Sequence, residues 1–282
     1  MLLGFNLLLW TTHVTEEHFP LLDAIKRAGY DGVELPIFEG TPEHFARVGR
    51  VVRDAGLRCT AVTVLPDEAH NALSPDPAVR KGAVTRICWA VDCLKAAGGE
   101  VLCGPFHQPL GIFTGEPPTA EERGRLVDVH QAAATYAAAQ GIALSIEPLN
   151  RFECYVLNTV SDAVRLVREV EAPNYGLLYD TFHANIEEKD PVGVIAPNLA
   201  HISHVHLSEN DRGTPGKGHI PWLPTLRAFK QGGYRGWFVI EAFGRALPAL
   251  AAATRVWRDF FPSREEVYRF GHDFLRETWA KV

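Results

Sequence analysis

The stretch GIALSIEPLNRFECYVLNTVSDAVRLVREVEAPNYGLLYD, residues 141–180, reads as one β–α–β unit. Ala143–Pro148 and Tyr175–Asp180 are short apolar runs of strand character, and Val160–Val170 between them carries a helical period. Outward from this unit the same alternation recurs in both directions. Further strands are expected at Leu3–Leu9, Gly32–Pro36, Arg58–Leu65, Val101–Gly104, Ile202–Leu207 and Trp237–Glu241. Helices are expected at Glu16–Ala28, Pro42–Ala55, Pro77–Ala97, Thr119–Ala139 and Leu223–Lys230, with a short one near Pro191–Ala196. Two more, about Leu247–Asp259 and Arg264–Lys281, follow the last strand. Gly29, Gly56, Gly98 and Gly141 each stand just before a strand, where a preceding helix should stop.

Eight such units in 282 residues take about 35 residues each. That spacing predicts an α/β fold, a single (β/α)8 TIM barrel over residues 1–282 with an additional C-terminal helix. An open doubly wound sheet is the rival, but no strand is followed by a G-x-G-x-x-G turn. The GTPGKG string at 213–218 lacks the Walker spacing and is expected to be a mobile loop over the barrel mouth.

The net charge of −6 argues against nucleic acid as a partner, since a binder needs a basic stripe to displace counterions. No run approaches the roughly 18 apolar residues of a membrane span. The opening MLLGFNLLLW lacks a basic leader and a small-residue cleavage site, so it reads as a buried strand. Five cysteines without a C-x-x-C pair read as reduced packing thiols, which points to the cytoplasm.

The last four strands end in SIEP, LYDTFH, HVHLSEN and VIEAF. They bring Glu147, Asp180, His206 and Glu241 to the C-terminal end of the barrel, where such folds build their sites. Strand parity groups Ala143, Ser145 and Glu147 on one face and Val239 with Glu241 on another, both directed inward. Three carboxylates at one mouth would repel each other unless protonated or bound to a cation. With one imidazole they form an oxygen-rich set suited to Mn2+, Mg2+ or Co2+. Parity alone does not choose between His204 and His206.

The strings IEPLNRFECYVLNT (146–159), YDTFHANIEE (179–188), HVHLSENDRGTPGKGHIPW (204–222) and VIEAF (239–243) resemble the ketose 3-epimerases. These are the D-tagatose/D-allulose 3-epimerase group of the xylose-isomerase-like barrels. SPDPAVR from residue 74 and VWRD from residue 256 extend the resemblance through nearly the whole chain. It implies one divalent cation on Glu147, Asp180, His206 and Glu241, with Mn2+ preferred and Co2+ or Mg2+ as alternatives. It also implies sugar contacts from Glu153, His183 and Arg212, a small-molecule ketose substrate, and a homo-oligomer, dimer or tetramer.

Inverting a carbon beside a ketone removes its hydrogen from one face and returns one to the other. A cation can stabilise the enediolate, and Glu147 and Glu241 can serve as base and acid. Other enediolate enzymes, of the hydroxypyruvate isomerase or keto-inositol dehydratase type, share this logic. A non-catalytic sugar-binding barrel would not need both glutamates. Arg212, Lys217 and Arg245 leave a phosphorylated substrate open. The chain departs from the family at Asn6, His107 and Gln108, where aromatic residues are usual. That predicts a more polar pocket around the far end of the sugar. Trp10, Phe106, Phe182 and Trp222 are read as core residues that could instead offer faces to a sugar.

Overall fold

Eight parallel strands close into a barrel, each paired with the next in sequence and the last with the first. The computed structural model describes residues 1–282. The strands are β1 Leu2–Asn6, β2 Gly32–Pro36, β3 Arg58–Val62, β4 Val101–Gly104, β5 Ala143–Ile146, β6 Tyr175–Asp180, β7 Ile202–Leu207 and β8 Trp237–Ile240. The outer helices are α1 Phe19–Arg27, α2 Pro42–Asp54, α3 Pro77–Ala97, α4 Ala120–Gln140 and α5 Val160–Val170. They continue as α6 Thr181–Glu187, α7 Ile195–Asn198, α8 Trp222–Gln231, α9 Pro248–Ala253 and α10 Arg264–Ala280.

Local chemistry fixes the helix ends. Thr119 accepts the Glu122 N–H at 3.1 Å while Glu122 accepts the Thr119 N–H at 2.8 Å, a reciprocal cap that starts α4. Gly98 and Gly141 stop α3 and α4 in left-handed conformations, φ 81° and 72°, that a side chain would disfavour.

The period of two along each strand separates two environments. Leu3, Phe5, Val33, Leu35, Leu144 and Ile146 face outward into the apolar layer beneath the helices. Asn6, Glu34, Thr60, His204 and His206 are buried inside the barrel as polar groups. The bottom is plugged by Trp237, whose indole lies where any side chain on Gly32 would have to go. Helix α10 closes over the same end: Arg276 donates to the Met1 carbonyl and to Asp31, at 2.8 and 2.7 Å.

Some boundaries differ from the sequence reading. β1 stops at Asn6 rather than Leu9, because the Asn6 side chain accepts the Leu8 N–H at 2.8 Å and turns the chain into a 3-10 segment. β3 stops at Val62 rather than Leu65, and β5 and β8 stop one residue before Glu147 and Glu241. Those glutamates extend the ladder by one bond each, to the carbonyls of Gly104 and Leu207. The helix expected at Leu247–Asp259 is shorter, since Arg255 adopts φ 60° just past its end. Helix α6 is additional to the sequence reading, because seven residues are too few to show a period. No helix is long and apolar enough to cross a membrane, and all five cysteines are free thiols.

Candidate active site

Glu147, Asp180, His206 and Glu241 converge at the C-terminal mouth, each buried, with one potential ligand atom apiece within 4.8 Å of the others. His206 Nδ1 lies 3.3 Å from Glu241 Oε1, 3.8 Å from Asp180 Oδ2 and 4.0 Å from Glu147 Oε1. That nitrogen is buried and has no hydrogen-bond partner. Its ring is held from behind, Nε2 meeting Glu34 Oε1 at 2.7 Å. Burial works against charge on His206, yet Glu34 and Glu241 outweigh it and hold the imidazole well above its usual pKa. The surroundings therefore call for positive charge at Nδ1, as a proton or as a cation. Three carboxylates and one imidazole, without a thiolate, suit a hard or borderline divalent ion. A carboxylate behind a histidine ligand is the usual way to fix such a ring.

Asp180 uses its other oxygen to cap α6, accepting the N–H groups of Phe182 and His183 at 2.5 and 3.4 Å. Arg212 reaches the same cluster, donating to Glu241 Oε2 at 2.8 Å and to Asp180 Oδ2 at 3.2 Å. Its backbone is left-handed, φ 63°, and its guanidinium rests 3.9 Å from the Phe182 ring. Such strain persists only where surrounding bonds over-determine it. Here buried Glu209 supplies them, accepting the N–H groups of Asn210, Gly216 and Ile220 and the Trp222 indole N–H. The 213–218 loop is thus tied from beneath to Glu209 through the Gly216 N–H.

His183 is held at both ring nitrogens: the Asn150 backbone N–H lies 3.0 Å from Nδ1, and Nε2 lies 2.8 Å from Arg212 Nη2 and 3.6 Å from Glu147. Burial and Arg212 together push its pKa well down, leaving it neutral. Glu153 accepts the Asn150 side-chain amide at 2.7 Å, and burial raises its pKa.

Above these groups lies a cavity of about 320 Å³. Its floor is Glu147, Glu153, His183, Arg212 and Glu241, and its walls include Leu8, Phe38, Val62, Leu65, Leu110 and Leu250. The walls are largely apolar, and none of Asn6, His107 and Gln108 lines them, so those residues do not make the distal pocket more polar. Asn6 sits beneath the floor. Gln108 turns away to accept the N–H groups of Tyr155 and Val156 at 3.2 and 3.3 Å. His107 is fully buried off the cavity, where burial lowers its pKa to about 3. Replacing His107 by Trp should overpack this site, costing about 1–3 kcal/mol, without re-ranking substrates. An unchanged melting temperature with a new ketose ranking would contradict that placement.

Trp10, Phe106 and Trp222 pack against Phe5, His130 and Phe274, and Phe182 is covered by Arg212. None of them lines this cavity, where Phe38 and Phe243 do, but Phe182 lines a pocket that adjoins it at Glu153 and Thr254. Sequence reasoning missed Glu34, Asn150 and Glu209. The parity argument applied to Glu147 could have found Glu34, an isolated carboxylate between Val33 and Leu35.

Residues 22–278 match the xylose isomerase-like TIM barrel family. A ketose 3-epimerase of Arthrobacter globiformis is 30% identical over 285 residues, covering 100% of this chain and 98% of that one. The chain belongs to the ketose 3-epimerases of this family. An L-ribulose 3-epimerase of Methylomonas sp. is 31% identical, covering 90% of this chain and 88% of the relative. The crystal structure of a D-allulose 3-epimerase from Methylomonas sp. with D-allulose superimposes with a TM-score of 0.91 at 29% identity, covering 99% and 97% of the two chains. Family membership makes the protein an isomerase that acts on sugars, and its donor cluster fits a divalent cation.

Proposed function

We propose that the protein epimerises a free ketose at C3, with one divalent cation, Mn2+ first and Co2+ or Mg2+ next, on Glu147, Asp180, His206 and Glu241. The observation that carries this reading is the unpartnered His206 Nδ1 facing three carboxylates, two of which also line the cavity. When bound, the cation supplies Lewis-acid stabilisation for negative charge on the enediolate.

The chain's own groups move the proton. Burial and the nearby Glu241 hold Glu147 well above the usual carboxylate range. Glu241 lies below that range, because His206 and Arg212 outweigh its burial. Both carboxyls border the cavity, so one can take the C3 proton while the other returns one, as inversion requires. Arg212 Nη2 and His183 Nε2 converge at the cavity floor, where the guanidinium can donate to an oxygen beside C3. Glu153 acts through Asn150 to orient His183 and presents an edge to the substrate. Lys217 lies over the Phe270 ring and Arg245 pairs with Asp259, leaving Arg212 the one cationic side chain at the cavity. That favours an unphosphorylated sugar.

Glu34→Gln should lower Mn2+ affinity about 10–100-fold in calorimetric titration, since Glu34 orients His206. Unchanged affinity would contradict His206 as a ligand. The function itself is tested by incubating free and phosphorylated ketoses with the Mn2+-loaded protein and resolving products by NMR. A C3 epimer from a free ketose is expected; turnover confined to phosphorylated ketoses, or an aldose product, overturns the reading.

A further inference from the structure

Asn6 lies outside the cavity with no exposed surface. Its amide nitrogen donates to Glu34 Oε1 at 3.0 Å and to Glu241 Oε1 at 3.1 Å. Its oxygen is occupied by the Leu8 N–H, which fixes which end of the amide faces the carboxylates. Glu34 is in turn bound by His206, by His204 at 2.8 Å and by the Thr60 hydroxyl at 2.9 Å. Asn6 therefore joins the buried polar layer of the barrel to one of the two cavity glutamates.

The other glutamate has no such support. The Glu147 carboxylate receives no hydrogen bond from the protein, its nearest nitrogens being His183 Nε2 at 3.6 Å and His206 Nδ1 at 4.0 Å. Glu241 is gripped on both oxygens, by Asn6 from below and Arg212 from the side. The two groups that would serve opposite faces of the enediolate are thus held unequally.

We infer that, of the two cavity glutamates, Asn6 positions only Glu241, so that it governs proton transfer at one face of the substrate and leaves the Glu147 face untouched. This rests on the proposed two-glutamate epimerisation. Side-chain amides that hold reacting carboxylates within a fraction of an ångström matter because proton transfer needs close approach and alignment.

The test uses Asn6→Leu, which keeps the side-chain volume but removes the donor and the acceptor for Leu8, and Asn6→Ala, which removes the volume as well. Each Mn2+-loaded variant is given the best free ketose, then separately its C3 epimer, in heavy water. Initial loss of the C3 hydrogen is read by NMR, and Mn2+ affinity by calorimetry. Both variants should slow exchange from the epimer served by Glu241 about 10–100-fold, with exchange from the other epimer within about three-fold of wild type. Mn2+ affinity should stay within about ten-fold. Equal losses from both epimers, or an effect in Asn6→Ala only, overturn the inference while leaving the parent reading intact. A wild-type protein that exchanges neither hydrogen overturns both.

Discussion

Asp180→Asn is expected to leave a folded protein that no longer retains Mn2+ and no longer turns over. Asp180 divides its carboxylate between two tasks. One oxygen caps α6 through the Phe182 and His183 N–H groups, and the other faces His206, Ser208 and Arg212. An asparagine oxygen can keep the cap. Its NH2 would meet the Arg212 guanidinium donor to donor and could not ligate a cation. Changes behind a ligand already cost about 10–100-fold in affinity, so removing a ligand and its charge should cost more. Metal content after dialysis and the melting curve of the metal-free variant separate the two roles. Full occupancy and full activity in a normally folded variant would sink the ligand set.

Glu147→Gln and Glu241→Gln should each reduce epimerisation about 100–10,000-fold, the usual worth of a positioned acid or base. They should differ in what survives. If each carboxylate serves one face, each variant still exchanges the C3 hydrogen of one epimer, and the surviving epimers are opposite. Glu241→Gln also exchanges a charged acceptor of the Arg212 and Asn6 donors for a neutral amide, so its secondary losses should be larger. Identical exchange patterns in the two variants would contradict opposed roles.

The barrel is legible in the sequence because its signal is repeated: eight apolar runs and intervening helical segments each reinforce the same period. The four converging side chains are legible for a related reason. Each stands at or just past a strand end, and the period of two along a strand assigns it a direction. His206 is the limit of that argument, since His204 shares its face; both rings meet Glu34 through Nε2 and leave Nδ1 unpartnered, and the structure separates them by aiming only His206 Nδ1 at the three carboxylates. Loops carry no such period. Nothing in GPFHQPLG records that Gln108 folds back onto the β5–α5 loop or that His107 points into protein. Nor does SENDRG record that Glu209 gathers four N–H groups and thereby holds Arg212 in a left-handed conformation. Glu34 and Asn6 lie between these cases. Parity puts them inside the barrel, but only the closed register brings them beneath Glu241 and His206.

The central claim is that a proton, not a hydride, moves at C3 between two carboxylates of this cavity. It is tested most directly by running the wild-type, Mn2+-loaded protein on its best free ketose in heavy water and following C3 by NMR. Solvent deuterium at C3 of the product epimer, appearing at the rate of product formation, is the expected result. Product formed with its original C3 hydrogen and no solvent deuterium would contradict it.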